Sequence, residues 1–266
     1  MERLAQRDLE HSTDRPDQAA AFRFNMLESG RPYSRLLRKL ERWRSLPIED
    51  RNLISNLPLT VKNIPAYAKI AYEGDELSEC CLVLDGFVCE HKHVAAYDET
   101  IALHVPGDIA DLQALYHRKL RYSLTALGPA IIARIPRTLL LDALNASPRL
   151  RHAFELQIVV EGAILRERIV SLHRRDATSR VAQLLCDLTY RLQSVGIAAD
   201  YTLNIPWTQA DLARLTGISI VHTNRVVQRL RRIGAIEWAN KRVEIRDWNA
   251  LTQIAEFSPA YLETTP

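Results

Sequence analysis

Between Thr208 and Ile233 the chain reads TQADLARLTGISIVHTNRVVQRLRRI, and its polar groups fall at spacings that can read a nucleic acid. Thr208 can cap a helix whose inner face is Leu212, Ala213 and Leu215. Gly217 ends that helix, because glycine adopts the left-handed backbone that a tight inter-helix turn requires. Ala213, four residues earlier, is small enough for a second helix to cross closely. Ser219 caps the second helix, and Ile218, Thr223, Val226, Val227 and Leu230 form its buried face. His222, Asn224, Arg225, Gln228 and Arg229 form the other face, all of them hydrogen-bonding groups. Donors and acceptors on the first turns of such a helix match base edges in the major groove, and arginines further along meet phosphate. Thr208, Gln209, Ser219 and Val221 complete the predicted DNA-binding set. After Gly234, AIEW and RVEIRDW flank Asn240-Lys241 and read as a two-stranded wing.

Two other groups of residues could do chemistry. His91 and His93 stand two apart on a predicted strand, on one face, with Glu99 and His104 nearby, faintly like the metal-binding pattern of cupins. The carboxylate spacing is longer than theirs and the flanking glycines are missing, so exposed strand histidines are the expectation. Cys80 and Cys81 are adjacent, so their side chains point to opposite faces of a strand, a poor chelate geometry. If Asp85-Gly86 makes a two-residue turn, Leu82 faces Cys89; a three-residue loop puts Cys81 opposite Cys89 instead, close enough to consider a thiol switch. Buried, unreactive thiols are the expectation. No catalytic set, metal site or cofactor is predicted, and the effector is left open.

The elements that must position these residues change texture along the chain. Residues 1–30 are polar and aperiodic and read as a disordered arm. A short amphipathic helix runs through Leu36, Leu37, Leu40 and Trp43, and IEDRNLISNL gives a second. From about 58 to 138, short apolar runs at Ala68–Tyr72, Cys80–Leu84, Phe87–His93, Ile101–Val105 and Ile131–Ile135 alternate with turn signals, the pattern of a sandwich or barrel. Residues 147–173 then lack proline after Pro148, with Leu150, Phe154, Ile158, Leu165, Ile169 and Leu172 at helical spacing. Leu156, Val159, Val160 and Ala163 widen the apolar surface beyond one face. Such a helix packs against two things, here its own β-domain and the same helix of a second subunit.

Composition agrees. Hydrophobic residues make up 47% of the 266 and charged residues 25%, enough for a real core. The net charge of +3 matters less than its distribution, since Arg174, Arg175, Arg180, Arg214, Arg225, Arg229, Arg231, Arg232, Arg242 and Arg246 crowd the last third. There is no signal-peptide pattern at the N-terminus, no apolar run of membrane length and no disulfide spacing among the four cysteines, so a reduced cytoplasmic protein is expected.

YEGDELSECCLVLDGFV and HVPGDIADLQ in the β-domain, with WTQADLARLTGISIVHTNRVVQRLRRIGAI and the trailing wing, resemble the Crp/Fnr family of bacterial transcription regulators. RERIVSLHRRDATSRVAQLLCDL and the ending DWNALTQIAEFSPAYL place the chain near one branch of it. The resemblance covers nearly everything after about residue 33. It implies an α+β fold: a β jelly-roll sensor domain over 31–140, a long dimerisation helix within 141–175, a C-terminal winged helix-turn-helix over 176–250 and a tail over 251–266. It further implies a homodimer on palindromic operators in double-stranded DNA, with RNA polymerase as a partner and no membrane. Where the family's best-known recognition helix carries a glutamate, Val221 stands here; valine cannot accept from cytosine but can touch a thymine methyl, so a different operator core is expected. Family cyclic-nucleotide sites resemble one another in a Gly-Glu pair and an Arg-Ser or Arg-Thr pair. Here no glycine precedes Asp111, and Tyr122 separates Arg121 from Ser123, so cyclic-nucleotide binding is not expected. Family iron-sulfur sensors carry N-terminal cysteines, which the arm lacks.

Two competing functions remain. A jelly-roll metalloenzyme requires His91, His93 and His104 to converge. An interaction module with a degenerate helix-turn-helix has no reason to keep so many base-capable groups on one face.

Overall fold

The computed structural model describes residues 31–94 and 97–263; the predicted arm over 1–30 lies outside the described residues. The chain opens with two short helices, α1 (Ser34–Leu40) and α2 (Ile48–Ser55). α1 stops at Leu40, three residues before the predicted Trp43. Seven strands follow: β1 (Thr60–Ile64), β2 (Lys69–Ala71), β3 (Glu79–Asp85), β4 (Val88–Val94), β5 (Tyr97–His104), β6 (Ser123–Ala126) and β7 (Ala130–Pro136), with a 3-10 turn at Leu112–Leu115. They form two antiparallel sheets, ordered β1-β7-β3 and β2-β6-β4-β5. Cys81, Val83, Val88, Leu124, Ile132 and Tyr122 fill the space between them.

The sheet pairing corrects one expectation. β3 pairs with β7, putting Cys81 opposite Arg134, whereas β4 pairs with β5 and β6, putting Cys89 opposite Leu103 and Thr125. Asp85-Gly86 is therefore not a hairpin turn but a crossing from one sheet to the other, so neither predicted Cys89 pairing forms. Gly86 takes φ +75°, and a Cβ there would collide with the Pro129–Ala130 backbone.

α3 (Arg137–Ala146) and α4 (Pro148–Arg174) follow. Ser147 breaks the chain between them and caps α4, accepting from the Leu150 N–H at 3.1 Å. Residues 141–146 thus belong to a separate short helix. Leu150 and Phe154 of α4 are buried with α1, α2, α3 and the outer face of β3–β7. Ile169 is 56% exposed. The predicted single stripe divides because nineteen residues of α-helix carry Ile169 about 100° around the axis from Leu150.

α5 (Ala177–Ser194), β8 (Thr202–Asn204), α6 (Gln209–Thr216), α7 (Ile220–Arg232), β9 (Ile236–Ala239), β10 (Arg242–Ile245), α8 (Trp248–Ala255) and a last 3-10 turn (Pro259–Leu262) complete the chain. α8 spans the predicted 250/251 boundary. The outer face of the second sheet is not bare. Phe87, Cys89, Leu103 and Val105 share one core with Leu185, Trp207, Leu212 and Leu230 from the C-terminal part. Phe87 meets Trp207 edge-on, ring centroids 4.8 Å apart.

Candidate nucleic-acid interface

Local chemistry fixes the two crossed helices. The Thr208 hydroxyl accepts from the Asp211 N–H at 3.2 Å, while the Asp211 carboxylate accepts from the Thr208 N–H at 2.8 Å, a reciprocal capping box. The same carboxylate accepts from the Tyr67 hydroxyl at 2.8 Å, tying α6 to the β-domain. Gly217 ends α6 at φ +65°, ψ +38°, the left-handed conformation the sequence predicts. A Cβ there would stand 3.1 Å from Leu172 Cδ2 of α4. Ser219 caps α7, its hydroxyl accepting from the His222 N–H at 3.3 Å. Thr223, Val226, Val227 and Leu230 are buried, and Leu212, Ala213 and Leu215 of α6 are buried with them.

That burial turns the other face outward. His222, Asn224, Arg225, Gln228 and Arg229 are all exposed, and Val221 is 62% exposed. Thr208 and Gln209 are exposed at the start of α6, and Ser219 is exposed at the start of α7. A groove of about 360 Å³ beside α7 brings Ser219, Val221, His222, Arg225 and Arg229 together. Asn224 and Gln228 lie on the same helix outside that groove, and Thr208 and Gln209 stand apart at the N-terminus of α6. Among the described residues, Arg225 makes no ion pair, and Arg229 acts on Asp176 through its charge alone. The groove also includes Thr178, which the sequence reading missed. Its signal was the cap at Asp176, whose carboxylate accepts from the Ser179 N–H at 2.8 Å and starts α5 beside α7. That bond, with the charge of Arg229 adding to it, holds Asp176 below the usual carboxylate range.

The wing forms as predicted: β9 and β10 pair antiparallel, and Asn240 and Lys241 take φ +51° and +60°, the values a two-residue hairpin turn needs. β8 adds a third strand on the other side of β10.

Several polar side chains of the β-domain bond within it. Asp111 is fully buried, and its Oδ1 accepts from the Cys81 N–H at 2.7 Å. Arg121 is exposed, and the Ser123 hydroxyl accepts from the Glu73 N–H at 3.1 Å. His104 is buried beside Glu90 at 2.9 Å. Burial alone would lower its pKa, but Glu90, Asp108 and Glu161 raise it overall. Asp108 is buried with Lys39, with Arg191 of α5 at 2.9 Å and with His104 at 3.8 Å. Burial pushes its carboxyl up, yet Lys39, Arg191 and His104 hold it far below the ordinary range. The histidines do not converge: His93 lies 3.0 Å from Asp98 and His91 3.4 Å from Thr100, while His104 turns inward. The four thiols are free and buried in three different cores, an arrangement that does not fit an iron-sulfur ligand set. Burial pushes Cys89 up to about 12 and the other three higher still, so all four stay protonated and inert. Among the described residues, no helix is long and apolar enough to cross a membrane.

Comparison with known proteins follows this geometry. Residues 179–254 match the family of Crp-like helix-turn-helix domains. The regulatory protein HlyX of Actinobacillus pleuropneumoniae is 26% identical over 184 residues, 69% of this chain and 76% of that one. The fumarate and nitrate reduction regulatory protein of Escherichia coli K12 is 23% identical over 185 residues, 68% of this chain and 73% of its own. Among solved structures, FixK2 of Bradyrhizobium japonicum superposes with a TM-score of 0.67 at 19% identity, over 74% of this chain and 98% of that one. A CRP-family transcriptional regulator of Thermus thermophilus superposes with a TM-score of 0.57 at 23% identity, over 74% and 97%.

Proposed function

We propose that this chain is a transcription regulator of the Crp/Fnr type, not an enzyme, and acts as a homodimer on palindromic operators in double-stranded DNA; its likeness to the Crp-like helix-turn-helix family and to regulatory proteins supports this. One observation carries the reading: the outward row His222, Asn224, Arg225, Gln228 and Arg229, held rigid by the buried Thr223, Val226, Val227 and Leu230 behind it. In this reading His222, Asn224 and Arg225 contact base edges, with Arg225 favouring guanine and Val221 touching a thymine methyl. Thr208, Gln209, Ser219, Gln228 and Arg229 position the helix on the backbone.

The second subunit packs along α4. Val159, Gly162, Arg166, Ile169 and His173 recur at spacings of three and four, the seam of a two-helix coil, and Val159 and Ile169 are 57% and 56% exposed. Dimerisation there sets two α7 helices about 34 Å apart, one turn of duplex. The segments before α4 serve as the sensor, and the reading domain runs from residue 176 through α8. The sensor takes no cyclic nucleotide in this reading, because no glycine precedes Asp111, whose Oδ1 holds the Cys81 amide, and Arg121 is exposed to solvent. RNA polymerase is the partner through which operator occupancy acts on transcription, in the cytoplasm.

Selection of bound sequences from random duplex DNA tests the reading. Enrichment of a two-fold symmetric site, bound with an affinity that falls steeply with salt, is expected. Recovery of asymmetric or unrelated sequences overturns it.

A further inference from the structure

Where β5, α4, α5 and α6 meet, they line a cleft with about 60 Å³ of space. That is several times the roughly 10–15 Å³ one ordered water needs. Ile101, Ile164 and Leu215 give it apolar walls, and three arginines line it, Arg168 from α4 with Arg180 and Arg191 from α5.

The charges at its walls do not balance. Glu167 pairs with Arg175 at 2.7 Å, and Asp187 pairs with Arg191 at 3.2 Å while accepting from the Tyr261 hydroxyl at 2.7 Å. Both lining carboxylates are therefore already committed. Among the described residues, Arg168 bonds the Thr100 carbonyl at 2.9 Å. Among the same residues, Arg180 bonds carbonyls, those of Arg175 at 3.0 Å and of Thr216 and Gly217 at 3.4 Å. Among the described residues, no carboxylate lies within ion-pair distance of either guanidinium. Burial holds Arg168 below its ordinary value, against the opposing charge of Asp187. Arg168 and Arg180 are both half-buried, and a cation partly drawn out of water is ordinarily paired.

We propose that this cleft binds a compact monovalent anion, of halide to nitrate size, between Arg168 and Arg180. The two forked donors suit a small anion. Its position matters, because the walls belong to the β-domain, the long helix and the helix-turn-helix at once. An anion there draws α4 and α5 together beneath α6. This site does not depend on which operator the protein reads.

The test uses the full chain in gluconate, a larger anion. Chloride, bromide or nitrate then replaces gluconate at constant ionic strength. The melting temperature is expected to rise and saturate with each small anion, and Arg168→Gln is expected to lose that rise. Crystals of the unaltered chain grown in bromide are expected to show an anomalous peak within hydrogen-bond reach of the Arg168 guanidinium. An empty or water-filled cleft in those crystals overturns the proposal, whatever the melting curves do. So does a rise of equal size in Arg168→Gln. Operator binding measured in gluconate separates the two readings, since a chain that binds DNA but no anion loses only this inference.

Discussion

Arg225 lies two residues past the end of the first turn of α7, where a guanidinium can fork onto a guanine edge. Arg225→Ala is expected to weaken the selected operator by about 1–3 kcal/mol and to relax preference at one base pair of each half-site. Equal weakening on all sequences, in competition gel shifts, would make Arg225 a phosphate contact. A second residue reports on the interior of the β-domain. Burial pushes the Asp111 carboxyl up to about 6, against the Cys81 amide and Arg134. In the unfolded chain it titrates at about 3.9. The folded state therefore binds this proton more tightly, and the stability it adds is full below about 3.9 and gone once the pH passes about 6. Asp111→Asn keeps an oxygen for the Cys81 amide and removes the charge. It is expected to raise the melting temperature relative to the parent at pH 8, with the gap narrowing steadily as the pH falls towards 4.

Elements were legible where local chemistry dictates them. α6 and α7 announce themselves through Thr208, Gly217 and Ser219, and the wing through Asn240-Lys241; each signal acts within a few residues. Gly217→Ala is expected to cost about 1–2 kcal/mol from the left-handed backbone alone. Its added methyl must also displace Leu172. Denaturant titration of the full chain measures the loss. β1 escaped notice because it is almost wholly exposed and shows no apolar alternation. β6 and β8 are four and three residues long, too short for a period to show. Pairing within the β-domain was not legible, since Asp85-Gly86 carries the local chemistry of a hairpin yet serves as a crossing between sheets. The same holds for His104: the sequence sets it near His91 and His93, while Glu90 and Asp108 draw it inside. Of the interface residues, the α7 row was legible from amphipathic spacing, and Thr178 was not, because a second helix brings it there.

At the scale of the whole molecule, α4 has two faces. Leu150, Ala153 and Phe154 near its start are buried against the β-domain, while Ile169 and Val170 near its end are exposed. Ile169→Glu places a charge in the proposed dimer seam. Sedimentation is expected to show a shift from dimer to monomer, with operator affinity falling at least tenfold while the monomer stays folded by circular dichroism.

The apolar layer shared by Phe87, Cys89, Leu103, Val105, Leu185, Trp207, Leu212 and Leu230 has a thermodynamic corollary. Strands and reading helices exclude water from the same surface, so neither can lose its order while the other keeps it. Scanning calorimetry should therefore record one heat-absorption peak whose calorimetric and van't Hoff enthalpies agree. Two separated peaks would mean that the layer is not held in common. If the peak is single, a lesion deep in the β4–β5 ribbon lowers the melting point of α6 and α7 as much as its own.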